Sequence, residues 1–318
     1  MHITTLIPAY KTKYLQELLA GLMTQTRKPD RIVISDDSPG GEFTQQLLSP
    51  RYANWVATLP LELHVGRRAG AYENFKNLVR LWAGRSELFH ILLDDDVIFP
   101  DFYAQHLQTH QMAELSCSIS ARWNANERGQ PIEGMPVPEA IASSNSRIMS
   151  MGPKAMFSST VPGSVNWLGE FSNCVIRARC AELLEQPAFG GVSYAGLWDL
   201  GFFLAASLQA PIGYIQDRLG YFRAGGEGHS AQRNGPHMKA AYLGYVALAV
   251  GGCRIGQVTP EQMRMCATGM AGALVKNYAD QPDVMAFVPL LLELGQGSEG
   301  AEAAFVEAWH AFLQSHGF

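Results

Sequence analysis

The chain is poor in cysteine, with five in 318 residues and none spaced like a set of zinc ligands. They are Cys117, Cys174, Cys180, Cys253 and Cys266. Such a sparse, odd-numbered set argues against a disulfide framework and against a cysteine-rich metal cluster. We therefore expect reduced thiols in a cytoplasmic protein.

Long hydrophobic runs are also missing. The longest mildly apolar stretch, 240–253, contains Tyr and Gly and is shorter than the roughly 20 residues that a membrane-spanning helix needs. Residues 1–8 lack both the charged start and the apolar core of a signal peptide. We expect no transmembrane segment, and peripheral association with a membrane through a partner is left open.

An excess of positive charge is absent, because the formal net charge is −5 at pH 7. A general binder of nucleic acid or of an anionic membrane needs a basic surface. We therefore expect no nucleic-acid partner, and a small or neutral ligand instead.

Glycine-rich phosphate loops are missing as well. The sequence has no Walker-type motif and no G-x-G-x-x-G after its first predicted strand, and residues 8–14 contain no glycine. A P-loop enzyme and a dinucleotide dehydrogenase are therefore disfavoured. Any bound phosphate has to be neutralised in another way, and a divalent cation held by carboxylates is one such way.

An apolar run that ends in three acids, 88–97, is the most distinctive feature of the sequence. β-Branched and apolar runs at 3–7, 31–35 and 61–65 predict three further strands, the first ending at Pro8 and the second followed by Asp36 and Asp37. Helical periodicity between these runs predicts a parallel sheet with right-handed crossovers. The carboxyl ends of its strands share one edge, so the acids would line that edge.

After residue 100 the regular alternation of predicted strands and helices ends. We predict a helix over 101–115, a strand over 116–123, a long polar loop over 124–164 and only helices after 236. We therefore predict two domains, 1–235 and 236–318. The methionine-containing stripe of the helical part is most simply a packing face, and oligomer or partner binding through it is left open. The i,i+4 pair His106 and His110 is interpreted as structural, because no zincin pattern accompanies it.

Three segments in this order resemble the motifs of the inverting family 2 glycosyltransferases with the GT-A fold. They are residues 3–10 (ITTLIPAY), 34–38 (ISDDS) and 93–101 (LDDDVIFPD). The resemblance covers about residues 1–235 and continues through 172–177 and 196–200. It implies a Rossmann-like α/β domain, in which helices flank a mostly parallel sheet, with a C-terminal all-helical extension outside it.

The resemblance implies a nucleotide pocket at the first two strand ends. Pro8, Ala9 and Tyr10 would line the nucleoside, and Asp37 would accept a hydrogen bond from a uracil-like ring nitrogen. A carboxylate suits an imide N–H because it is purely an acceptor. An Asx-type turn is the alternative for Asp36 and Asp37.

The family's D-x-D motif, which binds Mn²⁺ or Mg²⁺ together with the diphosphate, falls within the three adjacent acids. Strand alternation favours Asp94 and Asp96, whereas counting back from Pro100 favours Asp95, so all three are candidates for metal binding. Asp94 and Asp95 are also candidates for contact with the donor. His229 resembles a downstream histidine that completes the metal shell in some members, and a solvated loop histidine is the alternative.

Three further residues have implied roles in transfer. Asp199 matches the family's catalytic base, which opens a helix near the acceptor, although an acid that complements a helix dipole is the alternative. Trp198 would form a platform for the acceptor sugar, unless it is a core aromatic. Arg223 would pair with the diphosphate.

The resemblance implies a metal-dependent inverting transferase that moves a sugar from a nucleotide-diphospho-sugar, most simply UDP-linked, to a carbohydrate or glycoconjugate acceptor. Single addition within glycan or polysaccharide biosynthesis is favoured, since the Gln-x-x-Arg-Trp motif of processive synthases is missing. The alternatives are a nucleotidyltransferase, which typically has a basic glycine-rich loop after strand one, and a non-catalytic protein that binds sugar nucleotides.

Overall fold

The structure, a computed structural model, describes residues 1–225 and 232–318. Within these residues the strands are β1 (Ile3–Ala9), β2 (Arg31–Asp36), β3 (Leu61–Val65), β4 (Leu88–Ile91), β5 (Val97–Ile98), β6 (Cys117–Ala125), β7 (Pro131–Gly134), β8 (Ile148–Met151), β9 (Cys174–Arg177), β10 (Ala188–Phe189), β11 (Val192–Ser193) and β12 (Ile212–Arg223). The helices are α1 (Leu15–Met23), α2 (Glu42–Leu47), α3 (Ala53–Val56), α4 (Ala71–Trp82), α5 (Phe102–Met112), α6 (Glu139–Ala142), α7 (Pro153–Thr160), α8 (Glu182–Glu185), α9 (Trp198–Gln209), α10 (Pro236–Arg254), α11 (Pro260–Tyr278), α12 (Pro282–Met285), α13 (Phe287–Gln296) and α14 (Ala301–His316).

One large mixed sheet organises most of these strands, in the order β3-β2-β1-β4-β9-β6-β12-β5. The pairs β2–β3, β1–β2, β1–β4 and β6–β12 are parallel, and β9 lies antiparallel between β4 and β6. The predicted α/β class is therefore confirmed: the chain has a large, mostly parallel sheet with helices and a helical C-terminal region.

Strand β1 continues past the end that Pro8 predicted. Pro8 pairs with Ser35 and Ala9 with Asp36. The strand therefore extends through the proline, two residues beyond the predicted run 3–7. The proline is tolerated because the nitrogen of residue 8 faces β4, and the pairing with β4 already ends at Leu6.

Helix α1 shows why the sequence pattern worked in this region. Leu15, Leu18, Leu19 and Leu22 recur at helical spacing, and all four are buried in one core cluster with Ile3 and other sheet residues. Each fully buried leucine contributes about 2 kcal/mol relative to an exposed one. This burial fixes α1 against the sheet and so places the loop that connects β1 to α1.

The segment 124–164 is not the long loop that its polar composition predicted. It contains β7, α6, β8 and α7, with β7 antiparallel to β6 and β8 paired with β12. Ile141, Met156 and Phe157 are buried, which stabilises these short elements. Elements of four to eight residues present too few turns for hydrophobic periodicity to reveal them.

The histidine pair of α5 takes structural partners, as interpreted from the sequence. His106 Nδ1 lies 2.7 Å from Ser118 Oγ, and His110 Nε2 lies 3.2 Å from the carbonyl oxygen of Val175. Both rings are buried, and burial lowers the pKa of each, to about 4 for His110. They join α5 to β6 and β9.

The described residues group into two compact units. The first contains 1–150, 168–185 and 209–224, and the second contains 151–167, 186–208 and the described residues from 225 on. The second unit therefore holds α7 and most of α9 in addition to the C-terminal helices. The division into domains at residue 235 stays a prediction.

The second unit is built on helix packing. The predicted stripe Met263, Cys266, Met270 and Leu274 of α11 is buried, and Trp309 Nε1 donates to the Ser193 carbonyl at 2.8 Å. No helix within the described residues is long and apolar enough to cross a membrane.

Candidate active site

The carboxyl ends of β1, β2 and β3 are joined by main-chain hydrogen bonds. The Asp37 N–H donates to the Ala9 carbonyl at 2.8 Å, and the Gly66 N–H donates to the Asp36 carbonyl at 2.7 Å. The three adjacent acids follow β4, which pairs with β1 at the same edge. The first unit thus brings the acids of two separate segments to one edge of its sheet.

Asp94 holds the loop after β1. Its Oδ2 accepts the backbone N–H groups of Tyr10 at 2.6 Å and Lys11 at 2.5 Å. Burial and the charge of Asp95 raise the pKa of Asp94 to about 7, although the two amides act in the opposite direction. The contribution of Asp94 to a metal site stays a prediction, and its visible contact is with the main chain.

Asp95 forms an ion pair with Lys11. Burial would lower the pKa of Lys11, but the charge and hydrogen bond of Asp95 outweigh it and raise that pKa, with help from Asp94 and Asp96. Lys11 was not predicted from the sequence as a site residue. It could have been noticed as a cation directly after Tyr10, at the sheet edge where the three acids were predicted to lie.

Asp96 has the most unusual surroundings of the three acids. Its Oδ1 accepts the Arg223 N–H at 3.1 Å, whereas its Oδ2 is buried and has no hydrogen-bond partner among the described residues. Burial, followed by the charges of Asp95 and Glu170, raises its pKa well above the usual range. A buried carboxylate oxygen without a partner is costly, so a bound cation would stabilise it.

The residues present fit a hard divalent cation. The carboxylates of Asp95 and Asp96 offer the oxygen ligands that Mg²⁺ and Mn²⁺ prefer, and donor phosphates and water commonly complete such a shell. Within 1–225 and 232–318, no group of three or more His, Cys, Asp or Glu side chains is arranged to hold a metal ion by itself. The predicted ligand His229 lies outside the described residues.

Arg223 is an anchor within the first unit. Its Nε donates to the Asp95 carbonyl at 3.0 Å, its Nη1 donates to the Glu127 carbonyl at 2.6 Å, and its Nη2 pairs with Glu17. The guanidinium also lies 4.1 Å from the ring centroid of Tyr14. The predicted contact of Arg223 with a diphosphate stays a prediction. To make it, the guanidinium would have to exchange some of these protein partners for phosphate oxygens.

Asp36 forms the Asx-type turn that was the alternative for it. Its Oδ1 accepts the Ser38 N–H at 3.0 Å, and its Oδ2 accepts the Thr44 N–H at 2.8 Å. Burial would raise the pKa of Asp36, but the hydrogen bonds from Ser38 and Thr44 hold it below its usual value. Asp36 therefore fixes the turn that leads into α2.

Asp37 is held at the strand end by the β3–α4 loop. Its Oδ1 accepts the Arg68 N–H at 2.5 Å, and an added Cβ at Gly66 would lie 2.4 Å from the same oxygen. Because Gly66 has no side chain, the Asp37 carboxylate can lie directly against its backbone. The loop also carries exposed Arg67 and Arg68, two cations near the predicted nucleotide pocket that the sequence analysis missed.

The three residues predicted to line the nucleoside differ in exposure. Pro8 is half-buried, Ala9 is fully buried, and Tyr10 is 58% exposed. Of the three, Tyr10 offers the largest surface to a ligand. The nucleoside-binding role of all three stays a prediction.

The predicted acceptor residues open α9 in the second unit. Asp199 lies in its first turn and is half-buried. Trp198 is 6% exposed, so its ring offers little surface to a sugar in this conformation. Both predicted roles, catalytic base and sugar platform, stay predictions.

The large, mostly parallel sheet with helices and the helical C-terminal region are shared with solved structures of GT-A glycosyltransferases, and this chain has that fold. No family model matches the sequence, and no curated protein matches it. The similarity lies with solved structures. The S. aureus TarS fragment 1–349 is 13% identical at a TM-score of 0.58, over 99% of this chain and 91% of that one.

Two further similar structures contain sugar nucleotides. The same TarS fragment in complex with UDP-GlcNAc is 15% identical at a TM-score of 0.55, over 99% of this chain and 91% of that one. The mannosyltransferase PcManGT from Pyrobaculum calidifontis, in complex with GDP-Man and Mn²⁺, is 13% identical at a TM-score of 0.53, over 100% of this chain and 87% of that one. At these identities the likeness establishes the fold.

Proposed function

We propose that this protein is a metal-dependent inverting glycosyltransferase of family 2, which transfers a sugar from a UDP-linked donor to a hydroxyl of a carbohydrate or glycoconjugate. The observation that carries the proposal is the buried Asp96 Oδ2, which has no hydrogen-bond partner within 1–225 and 232–318 and lies beside Asp95 at the carboxyl edge of a GT-A sheet. Similar folds hold UDP-GlcNAc in TarS and GDP-Man with Mn²⁺ in PcManGT, which supports the donor class.

The donor side of the reaction would belong to the first unit. Asp95 and Asp96 would hold Mn²⁺ or Mg²⁺, which when bound neutralises charge on the departing diphosphate. Asp37 and Tyr10 would contact the nucleoside. Arg223 and Asp94 would keep the acid-bearing turn and the loop after β1 in place, because both join these segments to the rest of the unit.

The acceptor side would depend on Asp199. The acceptor oxygen forms a bond to the anomeric carbon, the bond from that carbon to the diphosphate oxygen breaks, and the acceptor proton passes to the Asp199 carboxylate. A single displacement of this kind inverts the anomeric configuration. It requires one base, and Asp199, in the first turn of α9, is the candidate for that base.

Nucleotide binding tests the donor side. Calorimetric titration of the full chain with UDP should show at least about tenfold tighter binding with Mn²⁺ than with EDTA. Asp96→Ala and Asp95→Ala should remove this difference. Asp101→Ala should keep it, because Asp101 is an exposed acid of the same segment that contacts Thr26. Failure of both UDP and GDP to bind in the presence of Mn²⁺ would refute the proposal.

Product analysis tests the chemistry and separates the alternatives. With a donor and a panel of acceptor sugars, the wild-type chain should release UDP, and Asp199→Asn should bind UDP normally while losing transfer. Turnover unchanged in Asp199→Asn would rule out its role as the base. With UTP and a panel of sugar 1-phosphates in place of the donor and acceptors, release of pyrophosphate would instead identify a nucleotidyltransferase. Nucleotide binding without turnover in either assay would identify a non-catalytic binder.

A further inference from the structure

A cleft of about 530 Å³ lies within the second unit, bounded by α10, α11 and the turn after α7. Its volume falls within the roughly 300–1,000 Å³ range of sites for small molecules. Two tyrosines, two methionines and several small residues line most of it. None of the residues that line it, all within the described chain, carries a charge.

The aromatic wall of the cleft is held by its neighbours. The Tyr245 hydroxyl is hydrogen-bonded by the backbone of Asn166, and burial raises the pKa of Tyr245 to about 12. The Tyr242 ring packs edge-on against Tyr278 with ring centroids 5.2 Å apart. Both rings are half-buried, so each is fixed on one side and lines the cleft on the other.

The polar groups of the cleft are neutral. Asn277 Nδ2 donates to the Tyr242 hydroxyl oxygen at 3.5 Å, which leaves the hydroxyl proton of Tyr242 for another acceptor. Ser164 adds a second hydroxyl, in a left-handed backbone conformation with φ of 51° that ends the turn after α7. The cleft therefore combines aromatic surface with neutral hydrogen-bonding groups.

Small residues make room on the α11 side. Gly269, Ala273 and Asn277 follow one another at i,i+4 spacing, so they share one face of the helix, and all three line the cleft. A Cβ added at Gly269 would meet no other atom within 4 Å. Larger side chains at this position would fill the cleft.

We propose that this cleft binds a neutral saccharide ring of the acceptor. A sugar presents an apolar C–H face that suits the tyrosine rings and a rim of hydroxyls that suits Tyr242, Ser164 and Asn277, whereas the uncharged lining does not select an ionic ligand. Leu197 also lines the cleft and comes directly before Trp198 and Asp199 in the chain. The assignment of the saccharide as the acceptor rests on the proposed function.

Two glycine substitutions on α11 test the cleft. Gly269→Leu should occupy it, and Gly272→Leu is the matched control, because Gly272 is an equally exposed glycine of α11 whose added Cβ also meets nothing within 4 Å, yet it does not line the cleft. Both changes replace glycine in a helix by a better helix former, so both proteins should fold. Thermal melting of the full chain checks this.

The binding experiment uses saturation-transfer NMR with methyl and 4-nitrophenyl glycosides of glucose, galactose, mannose and N-acetylglucosamine. At least one glycoside should bind the wild type and Gly272→Leu equally, bind Gly269→Leu about tenfold more weakly, and remain bound when UDP and Mn²⁺ are added. Equal binding by all three proteins, or binding of n-octanol but of no glycoside, would overturn the assignment.

A UDP titration of the same three proteins separates this inference from the proposed function. UDP binding that is equal in all three proteins, together with a glycoside signal lost only in Gly269→Leu, supports both. If neither UDP nor GDP binds in the presence of Mn²⁺ but the glycoside signal depends on Gly269, the cleft is a saccharide site and the transferase proposal fails. If UDP binds but no glycoside does, the cleft assignment fails and the transferase proposal stands.

Discussion

The main-chain N–H of Arg223 donates to Asp96 Oδ1 at 3.1 Å, and its side chain donates to the carbonyl of Asp95. One residue of β12 therefore fixes two of the three adjacent acids. The side chains of the three acids have different partners. Asp94 accepts hydrogen bonds from the loop after β1, Asp95 pairs with Lys11, and Asp96 accepts the main-chain N–H of Arg223. On this geometry we expect Asp95 and Asp96, rather than Asp94, to hold the cation of the proposed function.

Arg223→Ala should destabilise the fold by about 3 kcal/mol, because it removes a guanidinium whose side chain is 2% exposed and leaves the half-buried carbonyl groups of Asp95 and Glu127 without their donors. Urea denaturation of the full chain measures the change in the free energy of unfolding. Arg147→Ala is the matched control, since the ion pair of Arg147 with Asp217 is largely exposed and should contribute less than about 1 kcal/mol. Equal losses in both variants would contradict the anchoring role.

Asp96→Asn should separate stability from metal binding. In the metal-free protein, the change replaces a buried carboxylate oxygen, without a hydrogen-bond partner in the described part of the chain and close to Asp95 and Glu170, by a neutral amide. The melting temperature should therefore stay equal or rise. The Mn²⁺-dependent gain in UDP affinity should nevertheless disappear. Asp101→Asn serves as control and should alter neither quantity. A large drop in the melting temperature of metal-free Asp96→Asn would show that the carboxylate stabilises the fold by itself.

Lys11→Met should strengthen Mn²⁺ binding in the absence of nucleotide by about threefold or more, because the Lys11 ammonium competes with a cation for Asp95. Titration of Mn²⁺ followed by electron paramagnetic resonance measures the affinity. Lys13→Met is the control, because Lys13 lies two residues further along the chain and pairs with exposed Glu127. Weaker Mn²⁺ binding in Lys11→Met would instead indicate that Lys11 orders the site.

The sequence predicted the first unit well where burial follows from local spacing. The bounds of β3 are those predicted, and α1 lies between the first two predicted strands, where helical periodicity was found, because both elements show their buried face within a few residues. Strand alternation does not apply to the three acids for a related reason, and which of them would bind a metal stays a prediction. β4 ends at Ile91, so the acids lie in the turn before β5, where a two-residue period no longer sets side-chain direction.

Contacts between distant segments could not be predicted from sequence patterns. The partner of Asp95 depends on how β1 and β4 pair, and the hydrogen bonds that Arg223 donates depend on the full length of β12. The cleft of the second unit was missed because Gly269 and Ala273 look like ordinary helix positions. These small side chains leave an open space between helices only once α10 and α11 have packed.

A buried polar network centred on His90 makes the first unit sensitive to acid. The Ser172 carbonyl can only accept, so His90 Nε2–H donates to it at 3.0 Å, and Nδ1 accepts the Tyr103 hydroxyl at 3.0 Å. The Tyr103 oxygen lies 2.6 Å from Thr5 Oγ1. Burial lowers the pKa of His90 from 6.5 to about 3. The unfolded chain therefore binds a proton more readily than the folded chain does.

The stability that neutral His90 contributes should be complete above about pH 6.5 and should be lost as the pH falls from there toward 3, at about 1.4 kcal/mol per pH unit. His90→Gln keeps a side-chain donor and acceptor but cannot titrate, so the free energy of unfolding should fall less steeply than in the wild type. Urea denaturation at pH 7, 6 and 5 measures both slopes. If His90→Gln and the wild type lost stability in parallel between pH 7 and 5, other groups would have to be responsible for the acid sensitivity.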